Sequence, residues 1–349
     1  MSRRDKTNMS IYIRPAVWHD FNRNVFMRAG VPYEDAELVA TARVESTLRQ
    51  PSGLDAFAVR RLQNTVRRLQ DGGINPTPQL HVQQEQASVA LLDGDNGLGP
   101  VIGTRAMSYC LGKAKTQGLA LVGVHNATTL GAMSFYAMQA LSHHAIGLVA
   151  TNTELKIGLP PWGGVTPALG NNPFAIAIPM QPEPPLVLDM SVIATQPQST
   201  SSYNTNSSRA PLGTDFLPRP IIGDHKGYGL ALVLEVLTGV LTGAGFGQQH
   251  APDRLASPEA RHDLGHLFGV LHADIFMSRE AFYERMQQLR NEIIQSERAP
   301  GVRRIFLPGE IEHERRLERE QNGIPVHDEV PSALQTLCAN LDLNPPVFV

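Results

Sequence analysis

Cysteine is almost missing: the 349 residues contain two, Cys110 and Cys338, far apart in the chain. Two isolated thiols build no disulfide framework and sit in no metal-ligand spacing. A reducing cytosol is therefore the expected setting, and no metal site is expected. Long apolar runs are missing too. None reaches the ~18–20 residues that a membrane span needs, so no membrane partner is expected. The basic start, residues 1–10, leads into no apolar stretch of a signal peptide and reads as a frayed tail. No charge of one sign dominates. With 30 Lys and Arg against 33 Asp and Glu, the net charge of −3 leaves no basic footprint for nucleic acid. Absent as well are a Gly-x-Gly-x-x-Gly turn after a strand and the Walker spacing of glycines before Lys-Ser/Thr. Neither a Rossmann dinucleotide turn nor a P-loop is therefore expected. No internal repeat is visible. What remains is ordinary globular composition, 42% hydrophobic and 18% charged, in a chain long enough for a large core and about two domains.

The pattern along the chain is mixed α/β. Residues 11–30 read as a short strand and a helix with Gly30 at its C-terminal cap. Pro32 opens a second helix over 33–49, with Glu34, Asp35 and Glu37 at the positive end of its dipole. A third helix over 54–71 repeats Leu54, Phe57, Ala58, Leu62, Val66 and Leu69, and Gly72-Gly73 stops it. Strands are expected at 87–94, 119–125, 145–152, 173–179 and 185–190, with helices at 99–116 and 130–142. Residues 192–220, rich in Ser, Thr, Asn and Pro, read as a long loop or disordered segment. Residues 227–242 are apolar nearly all round and predict a buried helix. A strand beginning at Leu267 and helices over 279–296 and 309–322 complete the chain.

Four segments hold residue types suited to chemistry, and each also has a plain structural reading. The turns of Pro160–Gly164 and Leu169–Pro173 could present backbone N–H groups to a phosphate, or could simply lead into a strand. Residues 223–229, Gly-Asp-His-Lys-Gly-Tyr-Gly, put His225 and Lys226 at a helix start, where amides and cations suit a pyrophosphate; a capped helix with exposed cations is the alternative. Asp189 ends a strand, placed for a ligand or proton transfer, or for an N-cap. Thr128 and Thr129 fill a strand-to-helix turn, a frequent ligand position in α/β sheets, although N-capping explains the hydroxyls equally well. His125 reads as a structural histidine, and His143-His144 as a cationic helix end. His262 and His266 are spaced i, i+4, with no carboxylate or cysteine partner near in sequence.

Taken in order, these segments resemble the type-2 malate/L-lactate dehydrogenase family. Its relatives include ureidoglycolate dehydrogenase, diketogulonate reductase and Δ1-piperideine-2-carboxylate reductase. The likeness runs from about residue 30 to about 330, through residues 61–78, 152–179, 187–191, 223–232, 265–268 and 299–310. It implies an α/β fold: a non-Rossmann NAD(P)-binding domain with a largely antiparallel sheet, plus a helical domain formed from N- and C-terminal segments. In this chain the helical, dimerising domain would be residues 1–85 with 280–349. The NAD(P)-binding-like domain would be 86–279, with the long loop at 192–220. A homodimer, NAD or NADP as cofactor, and a small-molecule substrate follow from the same likeness. Relatives move hydride between nicotinamide and C2 of a 2-oxo acid or a cyclic imino acid. Carried over residue by residue, Thr153, Asp189, Met190, Ser191, His225, Lys226, Pro308, Gly309 and Glu310 would line the cofactor.

The departures fall where protons would move. Phe57 and Thr129 occupy the positions of two family histidines, and the arginine before the first of these corresponds to Ser52. Phe cannot carry a proton, and a Thr hydroxyl is a poor general acid. The 192–220 stretch lacks a family segment that helps close the site, and losing closure would admit water. Two functions therefore stand. One is an NAD(P)H-dependent reductase with an altered proton donor, using Asp189 or a water on Thr129, with Arg61 left to pair with a substrate carboxylate. An imino acid would ease the loss of the acid, since an iminium is already protonated. The other is a non-redox protein on the same scaffold, either a pseudoenzyme or an enzyme recruited to another reaction.

Overall fold

In the computed structural model, residues 11–155, 158–194, 219–220 and 224–349 are described. Most of the stretch read as a long loop, residues 195–218, lies outside them, as does Gly223.

The two ends of the chain meet. Strand β1 (Ile11–Ile13) pairs antiparallel with β11 (Ile324–Val326), so Ile13 sits opposite Ile324. Around that ribbon pack α1 (Pro15–Arg28), α2 (Tyr33–Arg49), α3 (Ala56–Gln70) and α9 (Val330–Leu341). Trp18, Phe26, Leu62 and Leu334 lie in one apolar cluster there. Of the apolar positions read for α3, Leu62, Val66 and Leu69 are buried, but Phe57 is exposed and Val59 takes its place in the core. Its start moves to Ala56, because the Asp55 carboxylate accepts from the Ala58 amide at 2.8 Å and so caps the first turn. Leu54 belongs instead to a bridge with Val326.

From α8 (Glu310–Asn322), the buried Arg319 guanidinium donates to the carbonyls of Thr47, Leu48, Gln50 and Pro51. A cation thus satisfies the last carbonyls of α2 and fixes the turn that follows.

The second layer is a seven-stranded sheet, ordered β2 (His81–Glu85), β3 (Val89–Gly97), β4 (Leu119–Ala127), β10 (Leu264–His272), β5 (Ala145–Thr151), β6 (Phe174–Ile178) and β7 (Leu186–Met190). Only β3 and β4 run parallel within it, joined by α4 (Gly99–Gln117). The expected largely antiparallel sheet is therefore present. Strand β2 escaped the sequence reading because every residue in it is exposed and no apolar alternation marks it. The last strand begins at Leu264 and ends at His272, earlier at both ends than read. A backbone bulge at Gly265 lets the Thr238 carbonyl approach so closely that a Cβ would lie 1.6 Å from its oxygen. The helix read over 130–142 is a short α5 (Met133–Ala137) continued by a 3-10 turn, Met138–His143.

One expectation fails. The helix read as buried starts earlier, as α6 (Asp224–Glu235), and passes into a π-turn over Val236–Val240. Ala231, Leu234 and Thr238 are buried, but Leu232, Val233, Val236, Val240 and Leu241 are exposed. One face packs toward the sheet, and among the described residues nothing covers the other. An all-round apolar pattern reports what a helix could bury, not what covers it.

Candidate active site

Asp189 stands near the C-terminal end of β7 and opens into a cavity of about 530 Å³. Its carboxylate accepts from the Ser134 amide at 2.9 Å, one residue into α5. It thus caps a helix from another part of the chain, so the two readings of Asp189 are not exclusive. Protein packed around the carboxyl pushes its pKa above the ordinary carboxylate value. The Ser134 hydrogen bonds oppose this, Glu312 reinforces it and Arg49 opposes it weakly.

The same cavity is lined by Ser46, Arg49, Ser134, Pro308 and Gly309. Pro308 and Gly309 are strapped to the strand: the Pro308 carbonyl accepts from the Val187 amide at 3.0 Å. Gly309 has φ +91°, and a Cβ there would lie 2.9 Å from the Val187 side chain. Only glycine allows both the left-handed backbone and the close approach. Glu310 is not among the cavity's lining. It is buried, accepting from the Leu307 amide at 3.1 Å and from Arg304 Nη2 at 2.9 Å, and so it braces the loop from behind.

The other carried-over residues divide. The Thr153 hydroxyl accepts from the Asn171 amide at 2.7 Å, holding two turns together. Ser191 donates to the Ile193 carbonyl at 3.1 Å, and Met190 lies opposite Phe174 in the sheet. His225 and Lys226 are exposed in the first turn of α6, and the His225 ring lies edge-on to Trp162, centroids 6.0 Å apart. The proline-glycine turn and the helix start therefore meet, while the Gly309 turn meets β7 two residues from Asp189.

Arg61 lies one turn after Phe57 on α3, with its guanidinium 5.7 Å from the exposed Phe57 ring. Crowding by protein lowers its pKa, partly offset by the charge of Glu154. The Tyr136 hydroxyl donates at 2.6 Å to the Leu130 carbonyl, bracing the turn that carries the exposed Thr129. Arg61 thus lies beside Phe57, one of the two places that hold histidine in the resembled family. The Thr128 hydroxyl does cap a helix, though not the one that follows it. It accepts from the Gly99 amide at 2.9 Å, at the start of α4, and donates to the Gly97 carbonyl.

Three features escaped the sequence reading. Arg49, at the end of α2, lines the Asp189 cavity and carries no motif that marks it. His262 does have a carboxylate: Glu154 Oε1 lies 2.6 Å from its Nδ1, brought there from the far end of β5. Arg43 has no sequence signal, being one more arginine on a mixed helix. His266 is buried in β10 against the Thr151 hydroxyl at 2.7 Å, and burial pulls its pKa down to about 3, so it is a neutral structural imidazole. His125 bonds Gln83 at 3.0 Å, as a structural histidine would.

Comparison with known proteins decides the family. A profile described as malate/L-lactate dehydrogenase matches residues 13–216 and 211–335. The chain belongs to the malate/L-lactate dehydrogenase family. This family member is 31% identical over 336 residues to the malate dehydrogenase of Pyrococcus abyssi, covering 90% of each chain. It is 32% identical over 339 residues to the L-sulfolactate dehydrogenase of Methanocaldococcus jannaschii, covering 92% of this chain and 94% of that one. Its fold matches the malate dehydrogenase structure of Pyrococcus horikoshii with a TM-score of 0.84 at 28% identity over 99% of both chains.

Proposed function

We propose that this chain is an NAD(P)H-dependent oxidoreductase acting on a 2-oxo acid, a 2-hydroxy acid or a cyclic imino acid, with an altered proton donor. The observation that carries this reading is the gathering of Asp189, Arg49, Ser134, Pro308 and Gly309 around one cavity. Guanidinium, carboxylate and hydroxyl are groups that hold a ribose and phosphates. The relatives' names, malate and L-sulfolactate dehydrogenase, support a 2-hydroxy acid.

In this reading the dinucleotide, NAD or NADP, supplies hydride. Arg61 pairs with the substrate carboxylate, and Asp189, or water held by Thr129, delivers the proton. Thr153, Met190, Ser191, His225, Lys226 and Glu310 shape the cofactor side, Glu310 through its loop. Titration with NADPH and NADH, followed by nicotinamide fluorescence, tests it. Saturable binding of at least one is expected, and no binding of either at high micromolar concentration would remove the reading.

A second reading, a non-redox protein on the same scaffold, is favoured by Phe57 and Thr129, neither of which can titrate near neutrality. It predicts binding without turnover on pyruvate, oxaloacetate and Δ1-piperideine-2-carboxylate.

We also propose a homodimer. The stripe of Leu232, Val233, Val236, Val240 and Leu241 along α6 and the π-turn after it, exposed among the described residues, supports it, since contiguous apolar surface of this kind marks an interface. Sedimentation equilibrium is expected to return twice the chain mass of 38.1 kDa, and a monomer at micromolar concentration would refute the dimer.

A further inference from the structure

A second cavity, of about 700 Å³, meets the Pro308–Glu310 turn at Glu310, where the Asp189 cavity meets it at Pro308 and Gly309. It lies between the end of α7 (Arg279–Gln295) and the segment that returns to that turn. Local sequence shapes the return. The Val302 amide donates to the Ala299 carbonyl at 3.0 Å, and Gly301 between them takes φ +83°. Proline suits the first inner position of such a reversal, here Pro300, and glycine the left-handed second. Arg298 Nη1 then donates to the Arg303 carbonyl at 2.6 Å and closes the loop. Arg298, Arg303 and Arg304 are thereby gathered with Arg290 of α7 around one space.

The lining carries four guanidiniums against two carboxylates, Glu297 and Glu310. Glu310 is buried and already engaged. It accepts from the Leu307 amide and from Arg304 Nη2, and Arg290 Nη2 comes no nearer to it than 4.0 Å. Arg304 is answered a second time, by Glu314. Glu297 makes no ion pair among the described residues. Arg290 is three-quarters buried, makes no hydrogen bond among the described residues, and has its Nε sealed from solvent without an acceptor. The Arg303 side chain has neither a hydrogen bond nor an ion pair among the described residues, and Arg298 donates only to a neutral carbonyl. Guanidinium N–H groups drawn out of water without acceptors cost stability until an acceptor arrives. Phosphate is the anion whose oxygens match the planar guanidinium fork two at a time. The cavity is larger than one phosphate and of the size that takes a small molecule.

We propose that this cavity is a phosphate site, in which Arg290, Arg298 and Arg303 hold the phosphate group of a small molecule while Arg304 and Glu310 fix the wall. The phosphate has two sources. One is a separate phosphorylated metabolite. The other is the 2′-phosphate of NADP, since the same turn borders the Asp189 cavity. The site itself does not depend on the redox reading.

Thermal denaturation of the free protein against inorganic phosphate, with chloride at matched ionic strength as the blank, tests it. Phosphate is expected to raise Tm saturably and chloride is not. Arg303→Met, at an exposed position, is expected to move the phosphate midpoint up about tenfold, the size of one charge-assisted contact. Arg290→Met is expected to move it at least as far. Arg285→Met, which removes an exposed arginine of α7 outside the cavity, is expected to leave it unchanged. Titration of wild type and Arg303→Met with NADH and NADPH then assigns the source. Weaker binding of NADPH alone gives the phosphate to the cofactor, and unchanged binding of both gives it to a separate molecule. If neither dinucleotide binds while the phosphate response persists, only the redox reading is removed. The proposal is overturned if phosphate stabilises the wild type no more than chloride does, if Arg303→Met keeps the wild-type midpoint, or if Arg285→Met shifts it equally.

Discussion

The double variant Phe57→His, Thr129→His is expected to reduce small 2-oxo acids at least about 10²-fold faster than the natural chain. General acid/base catalysis typically contributes ~10²–10⁴-fold, and the natural chain has no imidazole at either place. Both positions tolerate the change. The Phe57 ring is 58% exposed and touches the Arg61 guanidinium, so an imidazole replaces it without opening the core. Thr129 is exposed on a turn held from behind by Tyr136 and by the packing of Gly99 against its carbonyl. A histidine at position 57 would arrive beside Arg61, where a carboxylate-bearing substrate is expected. The measurement is kcat/KM on pyruvate and oxaloacetate with NADPH. If the folded double variant stays inactive, the missing imidazoles are not what limits the reaction, and the divergent 192–220 segment becomes the candidate.

Asp189→Asn is expected to move activity and stability in opposite directions. If Asp189 is the proton donor proposed above, its loss should lower kcat about 10²-fold or more on any substrate the chain turns over. Stability should rise at neutral pH. The folded-state pKa of Asp189 lies above its unfolded value, with burial as the largest cause. The folded protein therefore holds this proton more tightly than the unfolded chain does. Its contribution is fully present below the unfolded pKa and is lost as pH rises through the raised folded pKa. An amide never ionises, yet its oxygen still accepts from the Ser134 amide, so the variant escapes that loss. Urea denaturation at several pH values checks the sign. The natural chain should lose stability relative to the variant as pH climbs from acid through that window. A variant less stable at pH 7 would mean that the charged form is the one the fold prefers.

Much of the architecture could be read from local pattern. Helix α2 was expected over 33–49 and occupies Tyr33–Arg49, because Pro32 before it and Arg49 at its end are local signals. What failed was what depends on a distant partner. The α6 helix gave no sign of its bare face, since burial is set by what lies opposite. Glu154 and His262 are far apart in sequence and touch only because β5 and β10 are neighbours. Glu310 belongs to a recognisable segment, but only the packed structure turns its carboxylate inward to Leu307 and Arg304. Arg43 lacked any signal, because an arginine on a mixed helix is ordinary until the fold sets it against Asn22 and the Ala58 carbonyl.

The ribbon joining Ile13 to Ile324 also dictates an order of events during synthesis. The first three helices emerge early, yet β11, Leu334 and the Arg319 clasp on the end of α2 are made only after the whole sheet has left the ribosome. Until then Trp18, Phe26 and Leu62 wait for partners made some three hundred residues later, and contacts of such long sequence separation form slowly. The nascent chain is therefore sticky through most of its own translation, and chaperone demand should fall only once the last helices arrive. A stop codon before residue 319 would remove more than a tail: it would release the turn at Gln50 and Pro51, and with it one wall of the Asp189 cavity.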